Sequence, residues 1–423
     1  MSIDPTLLDD LEWRGLVAHS TDLDALRDAL SERSVGFYVG FDPTAPSLHM
    51  GHLVQVLTAR RLQLAGHRPY ALVGGATGMI GDPRDSGERT LNSLDVVKDW
   101  VDRVRAQIEP FLVFDGPNGA TMVNNYAWTA SLSTIDFLRD VGKHFPVNRM
   151  LARDVVSRRL EQGISYTEFS YVLLQSWDFL NLYQDHGVTL QFGGSDQWGN
   201  LTAGVELIRR AAGGHAHAFA TPLLTRSDGT KYGKTEGGAL WLDPEMLSPY
   251  GFHQFWLNAE DQKVGELLRV FTFLSREEIE SLEEQTREKP WLRAGQKALA
   301  DEVTALVHGE DETAQAKAAA AALFGGGDLH GLRGATLGAA LREAGSVTVS
   351  GELPTVVDLL VETGLAKSKG EARRTVGEGG AYLNNDRVDD PEMVPTQDDL
   401  VAGSWLVLRR GKKNFAGVEV VGR

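Results

Sequence analysis

Not one cysteine occurs among the 423 residues. That excludes disulfides and any Cys-based metal site, and it is compatible with a reducing cytoplasm. Long apolar runs are missing as well, since none approaches the ~20 residues that a membrane-spanning helix needs. The opening segment Met1-Ser-Ile-Asp-Pro-Thr-Leu-Leu-Asp-Asp10 is acidic and has no signal-peptide core. Cytoplasmic residence without a membrane partner is the expectation. Positive charge is scarce: 42 Lys and Arg stand against 58 Asp and Glu, for a net charge of −16. For the chain as a whole this argues against a nucleic-acid partner, so any RNA contact must rest on local basic patches. What is present, 42% hydrophobic and 24% charged residues, is the make-up of a globular protein. The length calls for two to four domains.

The most informative stretch is Tyr38-Val-Gly-Phe-Asp-Pro-Thr-Ala-Pro-Ser-Leu-His-Met-Gly-His52. Val35 to Phe41 is apolar and β-prone, and Pro43 and Pro46 forbid its continuation as a strand. From His49 the spacing turns helical, with Leu53, Val56, Leu57, Arg60 and Leu64 recurring until Gly66 closes the run. A strand, a tight loop and a helix N-terminus make an anion site, because unpaired N–H groups and the helix dipole face the loop. Gly51 allows close approach of a ligand, and His49 and His52 share one face of the first turn. Zinc would require a third and fourth ligand, with no Cys available to supply them.

Ahead of this stretch, residues 6–33 read as two short helices, the second opened by Thr21 with Asp24 three residues on. After it, Pro69 to Gly78 is a second apolar strand running into glycines, followed by Ile80-Gly-Asp-Pro83. Strand, helix and strand within about 45 residues form a βαβ unit with a parallel sheet. Asp42 and Asp82 fall at the carboxyl edge of that sheet, where ligands lie. A helix over Asn92–Phe111, a short strand near Met122 and further helices to about residue 160 read as an insertion. It carries a candidate subunit interface near 110–150. Thr167 to Tyr183 is one helix in which Tyr171, Gln175 and Asp178, four and then three apart, project from one face. Buried, such polar groups are costly unless paired. Val188 to Gly194 is another strand ending in glycines, with Asp196 and Gln197 just beyond, suited to a nucleotide held across the crevice. An Asp at such an edge is the type of group that takes ribose hydroxyls.

Thr225-Arg-Ser-Asp-Gly-Thr-Lys-Tyr-Gly-Lys-Thr235 has the polar, glycine-broken composition of a loop, with Lys231 and Lys234 as candidate phosphate cations. In their order, His49-Met-Gly-His52 and Lys231-Tyr-Gly-Lys-Thr235 resemble the HIGH and KMSKS signatures of class I aminoacyl-tRNA synthetases. Tyr232 and Gly233 depart from the general pattern and look like the tyrosyl branch of bacterial type. The resemblance spans nearly the whole chain. It implies an α/β fold: a Rossmann-like parallel-sheet catalytic domain at 1–240 with a helical insertion at about 92–160, an all-helical domain at 241–324, a linker at 325–353, and a small α+β RNA-binding module at 354–423.

The resemblance further implies that tyrosine and ATP give tyrosyl-adenylate and pyrophosphate, with transfer to the 3′ end of tRNA(Tyr). Tyr38 and Asp178 would bind the phenol hydroxyl, Asp82, Tyr171 and Gln175 the α-amino group, and Gln197 would lie near the carboxylate. Gly194 and Asp196 would meet the ribose, and Gly40, Asp42 and Gly51 would line the ATP site. His49, His52, Thr44, Lys231, Lys234 and Thr235 would serve the phosphates. Mg2+ is implied by the chemistry with no recognisable ligands, and a homodimer is expected. In the module, Lys367, Lys369, Arg373 and Arg374 form one basic cluster, and Arg409, Arg410, Lys412 and Lys413 a second. They supply the local field that RNA needs. Two other readings stay open at this stage: a tryptophanyl-type synthetase, and a non-catalytic RNA-binding protein on the same fold.

Overall fold

The computed structural model describes residues 3–83, 87, 92–161, 163–235, 238–325, 327–411 and 414–422. The chain forms two compact units, Met1–Asp243 with Gly265–Ile279, and Pro244–Val264 with Glu280–Arg423.

The first unit is built on six strands: β1 (His19–Ser20), β2 (Gly36–Phe41), β3 (Arg68–Val73), β4 (Thr121–Asn124), β5 (Val188–Gly194) and β6 (His217–Thr221). Their order across the sheet is β1-β6-β5-β2-β3-β4. All neighbours run parallel except β1 on β6. Helices cover both faces, which is why β2 and β3 read as continuous apolar runs rather than alternating ones. From β2 the chain steps outward to β3 and β4, then returns to the far side of β2 for β5 and β6. Between β2 and β5 the connections diverge and leave a crevice beyond the carboxyl ends.

Local chemistry sets the flanking helices. The helix Met50–Leu64 begins in a reciprocal box: His49 accepts from the Gly51 N–H, and His52 accepts from the His49 N–H. The long helix Tyr166–His186 is capped by Ser165, which accepts from the Glu168 N–H, and it stops at Gly187 with φ +66°. The early helix Leu23–Glu32 starts one residue later than expected. Its cap is Asp22, while the Thr21 hydroxyl donates to Ala218 on β6.

The block 92–160 is more than an insertion, because its strand β4 pairs with β3 and extends the sheet. Residues 265–279 return to the first unit, although the sequence places them in the helical domain. The reason is hydrogen bonding. Arg14 donates to the carbonyls of Arg269, Thr272 and Leu274, and Arg61 donates to that of Thr272. Within 225–239 two short strands, β7 (Lys234–Thr235) and β8 (Gly238–Ala239), pair antiparallel.

The second unit carries helices such as Pro249–Leu257, Ala294–His308 and Glu310–Gly325. Its mixed sheet comprises β9 (Ser346–Ser350), β10 (Ala381–Leu383), β11 (Asp386–Arg387), β12 (Trp405–Arg410) and β13 (Asn414–Val421), in the order β11-β10-β12-β13-β9. The stretch 325–353 is not a bare connection: it contains the helix Gly334–Ala344 and strand β9, which pairs parallel to β13. Leu337 and Leu341 of that helix share a core with Leu323, Trp405 and Val407. Burial of those side chains, rather than chain length, ties the helices to the sheet.

Candidate active site

A cavity of about 460 Å³ opens at the crevice between β2 and β5, and its whole lining falls between Tyr38 and Ala239. The carboxyl end of β2 brings Tyr38, Gly40, Asp42 and Thr44 to it. The following helix start brings His49, Gly51 and His52, and the long helix brings Tyr171, Gln175 and Asp178. Asp82 comes from beyond β3, and Gly194, Asp196 and Gln197 from the end of β5. Lys231 reaches it from the loop after β6. Residues that are up to about 190 positions apart in sequence therefore converge on one crevice.

At one end the carboxylate of Asp178 is 2% exposed and held by two donors, Asn125 Nδ2 at 2.9 Å and Trp128 Nε1 at 2.8 Å. Burial pushes its pKa up to about 7, against the pull of those two hydrogen bonds. Beside it Tyr38, 1% exposed, donates its hydroxyl to the Gln175 carbonyl at 3.4 Å. Burial first, and then the charges of Asp178 and Asp42, hold that phenol well above its ordinary value. Neither group is hydrogen-bonded to the other. Asp42 stands at the centre of the site: Tyr171 donates to its Oδ2 at 2.5 Å and Thr77 to its Oδ1 at 2.6 Å. Gly74 makes room for this contact, since a Cβ there would stand 2.1 Å from Asp42 Oδ1. Asp82 accepts from Gln197 Nε2 at 2.8 Å and from Asn200 Nδ2 at 3.1 Å, and burial raises its pKa to about 6.

At the helix start the rings of His49 and His52 stack with centroids 4.0 Å apart. Burial lowers the pKa of His49 and drives that of His52 well below the imidazole range, with the neighbouring His49 adding to the second shift. Both are therefore neutral at pH 7. Each uses Nδ1 to accept a backbone N–H, so the proton of each ring sits on Nε2. The pair is a fixed set of neutral donors beside a helix N-terminus. The lysine loop is pinned to this element, with the Met50 N–H on the Leu240 carbonyl at 3.0 Å and the Leu242 N–H on the Leu48 carbonyl at 2.9 Å.

The backbone of Lys234 and Thr235 forms β7, while their side chains lie outside what the structure describes. Asn125, Trp128, Thr77 and Asn200 belong to the site although no sequence pattern singles them out. Asn125 and Trp128 follow the carboxyl end of β4, so position at a strand end was the one available signal.

The basic residues of the module lie in the second unit. Lys412 and Lys413 are outside the described residues. Three others are paired with acids: Lys369 with Asp358 at 2.6 Å, Arg373 with Glu392 at 3.1 Å, and Arg410 with Glu371 at 2.8 Å. Part of the positive field expected of these clusters is thereby offset by acidic partners. Arg409 lies over the Tyr382 ring at 4.4 Å, and Lys367 and Arg374 are exposed.

Residues 30–325 match the family model for tRNA synthetases class I (W and Y), and residues 337–418 match the Tyrosine–tRNA ligase SYY-like C-terminal domain. A tyrosine–tRNA ligase of Streptomyces coelicolor is 62% identical over 419 residues, covering 98% of this chain and 99% of the relative. The chain belongs to the tyrosine–tRNA ligase family. Another member of the family, from Nocardia farcinica, is 58% identical over 97% of this chain and 98% of its own length. Among solved structures, a C-terminally truncated mitochondrial tyrosyl-tRNA synthetase of Aspergillus nidulans matches with TM-score 0.67 and 32% identity. It covers 73% of this chain and 92% of that chain. A tryptophanyl-tRNA synthetase of Plasmodium falciparum shares the fold, at TM-score 0.54 and 15% identity. The fold therefore does not separate the two amino-acid classes. Full-length identity to tyrosine–tRNA ligases and the C-terminal domain do.

Proposed function

We propose that the protein is an ATP-dependent tyrosine–tRNA ligase. The tyrosine carboxylate attacks the α-phosphorus of ATP and pyrophosphate leaves. A ribose hydroxyl at the 3′ end of tRNA(Tyr) then attacks the activated carbonyl and AMP leaves. The observation that carries the choice of tyrosine is a buried carboxylate beside a buried phenol, Asp178 and Tyr38, at one end of the cavity. A substrate without the hydroxyl leaves that carboxylate desolvated and short of a donor, which is costly.

In this reading Tyr38 and Asp178 bind the phenol hydroxyl. Asp82, Tyr171 and Gln175 take the α-ammonium. Gln175 suits that role because its Oε1 is buried and has no hydrogen-bond partner. Gln197 lies near the carboxylate, Gly194 and Asp196 meet the ribose, and Gly40, Asp42 and Gly51 flank the nucleotide. Thr44, His49, His52, Lys231, Lys234 and Thr235 serve the phosphates. Catalysis is then positioning together with stabilisation of the charge that moves onto pyrophosphate. Among the described residues no group of three His, Asp or Glu is placed to hold a metal. Mg2+ would arrive on the nucleotide phosphates and neutralise part of their charge.

The module 354–423 is proposed to contact tRNA through Lys367, Lys369, Arg373, Arg374, Arg409, Arg410, Lys412 and Lys413. A homodimer is proposed through the first unit. Its exposed apolar side chains concentrate between residues 126 and 166, among them Ile135 at 69%, Val147 at 59% and Tyr166 at 68% exposure. Lone exposed apolar residues are common, but a run of this density marks a protein contact. Cytoplasmic residence is proposed with it; no helix among the described residues is long and apolar enough to cross a membrane.

The deciding experiment is ATP–pyrophosphate exchange with each of the twenty amino acids. Exchange with tyrosine alone is expected. Exchange with tryptophan instead, or with none, would overturn the assignment.

A further inference from the structure

Arg153 stands between the helices Val147–Leu151 and Asp154–Arg159, outside the cavity lining. The proposed chemistry gives it no part. Its Nη2 donates to Asn200 Oδ1 at 2.6 Å. Gly199 leaves space for that approach, since a Cβ at this position would stand 2.6 Å from the same Nη2. Asn200, 3% exposed, passes the contact on: its Nδ2 donates to Asp82 Oδ1 at 3.1 Å and to Gln197 Oε1 at 2.9 Å. Gln197 Nε2 in turn donates to Asp82 Oδ2 at 2.8 Å. Both amides have their oxygen and their nitrogen engaged.

An amide side chain is nearly symmetric in shape, so its direction is set by its partners. A guanidinium can only donate. With Arg153 in place, the Asn200 oxygen must face it and the Asn200 NH2 must face Asp82. The Gln197 oxygen then meets the Asn200 NH2, and the Gln197 NH2 meets the other carboxylate oxygen. Arg153, which can only donate, and an ionised Asp82, which can only accept, together fix the direction of every bond between them.

We infer that Arg153 is a positioning residue for the amino-acid substrate, fixing the donor direction of Asn200 and Gln197 so that Asp82 meets the α-ammonium as a carboxylate. The inference rests on the reading of Asp82 as a group that takes the α-ammonium. Burial favours the protonated form of Asp82, and the charge of Asp42 adds to it. The two amide donors and the charge of Arg153 oppose it. Among the described residues the groups facing Asp82 are Gln197 and Asn200 from the helix side, Arg153, Asp42 beyond β2, and Tyr171 from the long helix. Without Arg153 the Asn200 oxygen is free to accept from the hydroxyl of a protonated Asp82, and the anion loses a facing positive charge. Both changes favour the acid form.

The test is kcat/KM for tyrosine in pyrophosphate exchange between pH 5 and 8.5, on the full-length enzyme. The wild type should gain activity in two steps as pH rises, through about 6 where Asp82 ionises and through about 7 where Asp178 does. Arg153→Met should move the lower step, the limb of Asp82, upward by ~0.5–1 pH unit. Activity at pH 6 then falls by roughly two- to sixfold, with little change at pH 8. Arg153→Lys, which also only donates, should restore the limb. If Arg153→Met melts early, Arg153→Gln tests the same point, because its amide can face either way. An unmoved limb, or a loss equal at every pH, overturns the role of Arg153. Asp82→Asn separates the two levels. It should remove the lower step, leave that of Asp178 near 7 and raise the KM for tyrosine; if that KM is unchanged, the reading of Asp82 fails, and the role of Arg153 fails with it.

Discussion

Replacing Asp178 by Asn keeps the shape of the side chain, removes its charge and leaves the surrounding donors without a full acceptor. The carboxylate accepts from Asn125 Nδ2 and from Trp128 Nε1. Trp128 can only donate. Asn125 cannot turn, because its Oδ1 takes the Ala76 N–H at 2.7 Å and its Nδ2 also serves Thr77 at 2.9 Å. Whichever way the new amide is set, its NH2 confronts a donor, at a cost on the order of 1–3 kcal/mol. Against this stands the removal of a buried anion. A carboxyl held at about 7 costs the folded state about 4 kcal/mol as an anion at pH 8. The sign comes from linkage. A folded pKa above the unfolded one gives stability that is present below the unfolded pKa and lost as pH rises through about 7. Asp178→Asn should therefore melt below the wild type near pH 4 and above it near pH 8. In catalysis it forfeits a charge-assisted hydrogen bond to the phenol, about 1.5–3 kcal/mol, or roughly 10- to 150-fold in kcat/KM for tyrosine. Phenylalanine has no hydroxyl to lose and should be spared, so the tyrosine-to-phenylalanine ratio contracts by at least that factor. Pyrophosphate exchange with both amino acids and melting curves at both pH values measure all of it. An unchanged ratio, with the crossover in melting intact, would refute the claim that Asp178 reads the hydroxyl.

Tyr38→Phe should be milder, costing about 0.5–1.5 kcal/mol in tyrosine activation for one neutral hydrogen bond, read in the same exchange assay. Lys234→Ala should slow adenylate formation strongly while tyrosine affinity barely changes; stopped-flow activation with normal rates and only weaker ATP binding would contradict it. Gly74→Ala would set a methyl group against Asp42 Oδ1 and Thr77 Oγ1, so both melting temperature and activation should fall, with a loss of about 1–3 kcal/mol in stability. A chain ending near residue 322 should still form tyrosyl-adenylate, because the cavity lining ends at Ala239, yet charge tRNA poorly. Its helices lose the Leu337, Trp405 and Val407 side of their core, so it should also melt earlier. Undiminished aminoacylation would remove the proposed RNA role of the module.

The parallel sheet was legible because strands buried on both faces are apolar runs, and β2 and β3 are of that kind. The histidine pair and the stripe Tyr171, Gln175 and Asp178 were legible because helical periodicity puts such residues on one face. The donors to Asp178 were not. Asn125 and Trp128 follow the end of β4, about 50 positions away, and no spacing rule links a strand end to a helix face. The stretch 325–353 was misread for a different reason. The helix Gly334–Ala344, GATLGAALREA, has only two large aliphatic side chains, and β9, SVTVS, is short and mostly exposed. Their order comes from partners elsewhere in the second unit. The acids that pair with Lys369, Arg373 and Arg410 were hidden likewise, since Asp358, Glu392 and Glu371 meet them through the fold.

The neutral, fixed state of His49 and His52 bears on how a turnover ends. A pocket with immobile cations grips pyrophosphate as firmly as it grips ATP, and the product then clogs the enzyme. Here the histidines offer only dipoles, and among the described lining residues the one Lys or Arg is Lys231, carried on the loop after β6. On the proposed reading, full side-chain charge would therefore reach the phosphates from that loop alone among the described lining residues. The grip on the leaving group would then depend on how that loop sits against Leu48 and Met50, to which it is hydrogen-bonded. On the proposed reading, pyrophosphate would leave a site whose two fixed imidazoles add no charge of their own to hold it.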